Sequence, residues 1–124
     1  MNTPQEIVEM FWHAFDTFNF EEAGRLLHDN FVFELPQSKE WVRGRANFVA
    51  FNVNYPGRWR ISIQRLVASG DEVVTEITAS FEQQALTAIS FFRIQHGKII
   101  HIREFWPEPF PAQSWRAQWV EMME

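Results

Sequence analysis

The sequence predicts an α+β fold, with helices gathered on one side of a curved antiparallel sheet. Three observations carry that expectation. The first part of the chain places apolar residues at helical spacing behind strong helix-start signals. From Trp59 onward the pattern changes to alternation and keeps it through successive runs separated by turn residues. The helical segments come before the strands instead of interleaving with them, which is the order of an α+β domain and not of a doubly wound parallel sheet.

The first helix starts at Thr3-Pro4-Gln5-Glu6. Thr3 can cap it, Pro4 suits the first helical position, and Glu6 completes a capping box. The apolar stripe runs through Ile7, Val8, Phe11, Phe15 and Phe18, with Trp12 on its flank. His13 lies off the stripe and reads as a surface or interface residue. Asn19-Phe20-Glu21-Glu22 repeats the capping logic for a short helix bearing Ala23, Leu26 and Leu27. His28-Asp29-Asn30 ends it, and a charged His28 there would suit the helix dipole. Residues 31–36 form a short extended piece and residues 37–43 a loop. Gly44 opens a third helix, about residues 45–55, whose inward positions are Phe48, Phe51, Asn52 and Tyr55. Asn52 is the polar member of that stripe, so it either bonds nearby backbone or faces a ligand.

Residues 59–68 form a strand, and Ser69-Gly70-Asp71 turns it into a second over residues 72–83. There Val73, Thr75, Ile77, Ala79 and Phe81 make an apolar face. A turn near Gln83-Gln84-Ala85 leads to a third strand, residues 86–95, and His96-Gly97 feeds a fourth, residues 97–106. Alternation puts Ile100, Ile102, Glu104 and Trp106 on one face of the fourth strand, and Ile99, His101, Arg103 and Phe105 on the other. Pro107-Glu108-Pro109-Phe110-Pro111 then predicts a stiff extended segment. Ser114 is expected to cap a short helix carrying Trp115, Trp119 and Met122, whose side chains pack on the domain's own surface or on a second subunit. The whole chain, residues 1–124, reads as one domain with residues 107–124 a Pro- and Trp-rich tail.

Bulk properties narrow the function classes. Net charge is -5, with no basic run, which argues against nucleic acid as the main partner. No apolar run approaches a membrane span and no signal-peptide pattern appears at the N-terminus, so a cytoplasmic setting is expected. The chain has no cysteine, hence no disulfide or thiol nucleophile. Its four histidines are scattered over unrelated elements, so no metal site is expected. No glycine-rich phosphate loop is present, and no cofactor is implied. Thirteen Phe and six Trp against one Tyr supply enough rings to fill a thick core or line a cavity.

Several segments together resemble a known family: Ile7 to Phe18, Leu26-Leu27-His28-Asp29-Asn30-Phe31-Val32-Phe33-Glu34-Leu35-Pro36, Gly44-Arg45-Ala46 and Gly97-Lys98-Ile99-Ile100. The chain resembles, from about Thr3 to Trp106, the cone-shaped α+β barrels named after nuclear transport factor 2. Within these it looks like the branch that holds ketosteroid isomerases and SnoaL-type polyketide cyclases. The resemblance implies a hollow between helices and sheet, and homodimers built sheet to sheet. The isomerases' catalytic positions fall on Leu35 (the base), Phe11 (the phenolic donor) and Ser90 (the acidic donor). None of these has the required chemistry, so ketosteroid isomerisation is not expected.

The overlay and the alternation together mark Phe11, Phe51, Ile77, Ala79, Phe81, Ser90, Ile102, Glu104 and Trp106 as inward-facing, with Asn52 close by. Glu104 is the carboxylate on an otherwise apolar face. It is paired with an arginine of a neighbouring strand, or reaches water at the strand end, or is a desolvated acid lining a pocket. The last reading makes it a general acid or base toward a small apolar, carbonyl-bearing molecule, by proton abstraction, cyclisation, dehydration or hydration. Ser90 and Asn52 would hold a polar group of that molecule. Glu34 neighbours the missing base but faces away from Leu35 by alternation. Two other classes compete: a pocket that binds without chemistry, and a dimeric interaction protein whose cone is filled.

Overall fold

The structure is a computed structural model that describes residues 1–123. Three α-helices, α1 (Pro4–Asp16), α2 (Phe20–Arg25) and α3 (Arg45–Val53), lie among six strands. The strands are β1 (Leu27–Leu35), β2 (Glu40–Arg43), β3 (Arg60–Ser69), β4 (Glu72–Phe81), β5 (Gln84–Gln95) and β6 (Lys98–Phe105). They form one curved, unclosed sheet in the order β2-β1-β6-β5-β4-β3. Every ladder is antiparallel except β1 on β6. No helix among the described residues is long and apolar enough to cross a membrane.

The helix starts follow the local chemistry. Thr3 and Glu6 form the reciprocal capping box, and Asn19 accepts from the main-chain N–H of Glu22. The stop of α1 comes earlier than the apolar stripe suggests. Asn19 N–H bonds Ala14 O and Phe18 N–H bonds Phe15 O, which is the Schellman pattern. Phe18 therefore sits beyond the helix with φ 61°, in the left-handed region normally taken by glycine. Such a backbone costs about 1 kcal/mol for a residue with a Cβ. The Arg58 guanidinium, 3.9 Å from the centre of the Phe18 ring, holds the side chain there.

Three expectations are corrected by pairing between distant segments. The second helix ends at Arg25, so Leu27 and His28 belong to β1 and His28 is not a helix-end residue. Leu27 pairs with Ile99, and Ile99 N–H bonds Leu26 O, so the far strand takes these residues from the helix. Arg45 closes the vacated helix end, donating to Gly24 O at 2.9 Å and Leu27 O at 2.7 Å. The segment expected as a loop contains β2, whose Trp41 and Val42 lie opposite Glu34 and Phe33 of β1. The third correction is a bulge in β6: Arg93 and Ile94 of β5 pair with His101 and Ile99, leaving Ile100 over. The extra residue reverses the alternation before it, so Ile99 is fully buried and Ile100 only partly.

Past the bulge, Ile102 and Glu104 point into the concave face as expected. On β4, Val73, Thr75, Ile77 and Ala79 are all buried. Helix α1 lies against β3 and β4 inside this concavity. Phe11 is the centre of its packing, with ring centroids 4.8 Å from Phe15, 5.1 Å from Trp12 and 5.4 Å from Phe92. The Trp12 indole N–H donates to the buried Thr75 hydroxyl at 3.1 Å. After β6 the chain runs to a 3-10 helix, Ser114–Trp119, in which Ser114 makes no cap bond and Gln113 holds the cap position. Trp115 and Trp119 are 70% and 71% exposed, so these two indoles do not pack on their own domain.

Candidate functional site

The sheet's concave face and the helices enclose a cavity of about 330 Å³. Its wall is mostly aromatic, because α1 and α3 direct Phe11, Phe15, Phe48 and Phe51 across the hollow at the inner faces of β1, β4 and β6. Of the residues expected inward, Phe11, Phe51, Asn52, Ile77, Ala79, Ile102, Glu104 and Trp106 line it. Phe81 and Ser90 do not. The Phe81 ring packs at a tilt against Trp59, with ring centroids 5.4 Å apart, next to Gly57. A side chain at Gly57 would lie 2.9 Å from the Trp59 indole nitrogen and 3.1 Å from the Phe81 ring, so glycine is what lets the chain close here. Ser90 is completely buried behind Glu104, with its hydroxyl on the carboxylate and away from the cavity wall. The wall also contains Phe33, Leu35 and Trp59. Leu35 is the position on which the isomerases' base falls, whereas Phe33 was legible only by extending the alternation back through a segment too short to mark a face.

Glu104 stands opposite Ser90 in the β5–β6 ladder and is 7% exposed. Its Oε2 accepts from the Ser90 hydroxyl at 2.7 Å, and its Oε1 accepts from the Trp106 indole N–H at 3.0 Å. Among the described residues no lysine, arginine or histidine pairs with it. Arg93 on the neighbouring β5 and Arg103, one residue before it on β6, instead face outward to Glu72 and Glu34. The ion-pair reading of this carboxylate is therefore not the one realised. Burial pushes its pKa up to about 7, against the opposing pull of the Ser90 and Trp106 hydrogen bonds. A carboxyl with such a value is present in both protonation states near neutral pH and can both take and give a proton. The Ser90 hydroxyl suits either state, since it can donate to the carboxylate or accept from the acid.

The other polar candidates are less engaged. Asn52 Nδ2 donates to Phe48 O at 2.8 Å, one turn back in its own helix, so its amide is held by backbone. Glu34 faces the outside of the sheet, where Trp41, His101 and Arg103 approach it at 3.3–3.4 Å, and it cannot replace the base missing at Leu35.

These features define a class: an open, cone-shaped α+β scaffold with one buried acid on the wall of an aromatic cavity. The SnoaL-like domain family matches residues 8–102, and the chain belongs to that family. No protein of curated function matches the sequence. Solved structures agree on the fold. A Kribbella flavida protein provisionally assigned as a ketosteroid isomerase is 26% identical, with 98% of this chain and 90% of that one covered and a TM-score of 0.93. An NTF2-like protein of unknown function from Burkholderia xenovorans is also 26% identical, over 98% and 95% of the chains, at a TM-score of 0.83. A Pseudomonas putida protein provisionally assigned as a polyketide cyclase shares the fold at 23% identity over 86% and 93% of the chains, at a TM-score of 0.72.

Proposed function

We propose that the chain binds a small, mainly apolar, carbonyl-bearing molecule in the cone and that Glu104 moves a proton on it. The supporting observation is a buried carboxyl on the cavity wall with no cation beside it among the described residues, a setting that raises its pKa. In the ionised form Glu104 takes a proton from the carbon next to the carbonyl, leaving an enolate. The protonated carboxyl then returns that proton to the same or a conjugated carbon, or gives it to a leaving hydroxyl, which departs as water. Return to the same carbon only exchanges the hydrogen with solvent, delivery to a conjugated carbon is an isomerisation, and loss of the hydroxyl is a dehydration; an enolate that attacks a second carbonyl of the same molecule, with the carboxyl's proton passing to the new alkoxide, gives cyclisation. Ser90, closed off from the cavity, serves Glu104 and not the substrate. A positioned acid/base of this kind contributes roughly 10²–10⁴-fold in rate.

A dimeric interaction protein is the second reading, favoured by one observation. Phe91, 43% exposed, meets Phe105 edge to face on the outer side of the sheet, and the tail indoles are uncovered as well. One experiment separates the readings. Acetylnaphthalene, a fluorescent apolar ketone, is added to the protein in D₂O, and deuterium entry at its methyl group is followed by NMR. The proposal predicts quenching on binding and catalysed exchange that Glu104→Gln abolishes while binding survives. Binding with no exchange in either protein reduces the chain to a ligand carrier. Absence of binding by this and other aryl ketones, from a chain that is dimeric in solution, leaves the interaction reading.

A further inference from the structure

Trp106 lies one residue beyond β6 and is followed by Pro107, which has no N–H to continue a ladder. Gln37, an exposed residue on the tight turn between β1 and β2, takes the place of a neighbouring strand. Its Nε2 donates to Trp106 O at 3.0 Å and its Oε1 accepts from Trp106 N–H at 2.5 Å. One side-chain amide thus supplies both main-chain bonds that a paired strand residue would have. The side chain carried by this clamped backbone lines the cavity and donates its indole N–H to Glu104 Oε1. The contacts run without a gap from the Gln37 amide, through the Trp106 backbone and indole, to the carboxyl. We infer that Gln37 is a positioning residue: it holds the Trp106 indole N–H on Glu104 and so favours the form of that carboxyl able to accept a proton. The inference rests on the reading of Glu104 as the acid/base.

The physical reason is directional. An indole N–H can only donate, so it bonds a charged carboxylate oxygen more strongly than the carbonyl oxygen of the protonated acid. Without the clamp, Trp106 stands at a free strand end before a proline-rich tail, and only the packing of its partly buried ring against the core holds this orientation. Few other groups compete for the carboxyl. Ser90 reaches it from β5, and Thr75 on β4 is next in the same row, with its hydroxyl bonded by Trp12. Glu40 from β2, bonded by the Ser38 hydroxyl at 2.6 Å, and the Tyr55 phenol after α3 are the other titratable groups on the cavity wall.

The test is the titration of Glu104 in the full chain labelled with ¹³C at the glutamate carboxyls, its signal assigned by loss in Glu104→Gln. Gln37→Ala and Gln37→Met should raise the midpoint by roughly one pH unit, as Trp106→Phe should, because the last removes a hydrogen bond to the charged form and the first two release the residue that makes it. The unfolding temperature of both Gln37 variants should stay close to the parent's, since the side chain is exposed. The methionine variant keeps the length of the side chain and so isolates the amide. A raised midpoint in Trp106→Phe with an unmoved one in both Gln37 variants overturns the inference, as does an unmoved midpoint in all three. A parent Glu104 that titrates with the ordinary carboxylates instead removes the acid/base reading itself, a result visible without any variant.

Discussion

Glu104→Gln should remove most of the pH dependence of folding stability between the ordinary glutamate range and roughly pH 8. The sign follows from the two pKa values. In the unfolded chain the group titrates near 4.5, and in the folded protein near 7. Below the unfolded value both states are protonated and the contribution is fully present. As pH rises the unfolded chain releases its proton first, so stability falls, and the loss is complete once the folded group has also ionised. A difference of this size corresponds to about 3 kcal/mol, or roughly 10 °C in unfolding temperature for a domain of this size. The amide of the variant is neutral throughout. Its oxygen can accept from Trp106 and its NH₂ can donate to Ser90, which reproduces the pattern of the protonated acid. The variant should therefore be the more stable protein on the alkaline side. Urea unfolding at mildly acidic and mildly alkaline pH reads this directly, and parallel pH profiles for parent and variant would contradict it. Asp16 and Glu6 do not confuse the window. Their pKa values are lowered, Asp16 by its bonds to Arg60 and Ile61 and Glu6 by its bonds to Thr3. Any stability they add is present above the ordinary carboxylate range and lost only at lower pH.

Phe11→Ala should cost about 3–5 kcal/mol. The ring is 1% exposed and meets Trp12, Phe15, Phe48 and Phe92. Removing it loses transfer energy and leaves a void that four other rings cannot all move to fill. For a domain with about 5–15 kcal/mol in total, the loss is a large part of the whole. Because Phe11 also lines the cavity, the same change widens the hollow. Denaturant unfolding should show the midpoint fall with little change in slope. A loss below about 1 kcal/mol would mean that the helix is not seated on the sheet as described.

Local chemistry made much of the fold legible. The capping box at Thr3 and Glu6 starts a helix with no help from the rest of the chain. The glycine turns at Gly70 and Gly97 and the alternation of Val73 to Ala79 mark a hairpin and its buried face. What stayed hidden depends on partners far along the chain. Leu26 and Leu27 continue a helical spacing well enough, and only Ile99, across the parallel ladder, draws Leu27 into a strand. Strand β2 is four residues long and almost wholly exposed, so it has no apolar period to read. The adjacent isoleucines Ile99 and Ile100 conceal a bulge, because either could be the inward one.

The candidate site divides along the same line. Glu104 stands out in sequence because a charge on an apolar alternation is rare, and the bulge lies before it, leaving its own phase intact. The role of Ser90 behind the acid needs the β5–β6 register. The Gln37 clamp joins a turn to a strand end, and no periodic pattern connects those two places.

The proposed chemistry needs Glu104 to change between uncharged and charged forms inside a hollow. Titrating the Glu104 carboxyl by NMR in the parent protein tests it most directly. A midpoint near 7, with loss of that signal alone in Glu104→Gln, is the predicted result. A midpoint among the ordinary glutamates, near 4.5, would mean that the acid is solvated and that the cone holds no proton carrier.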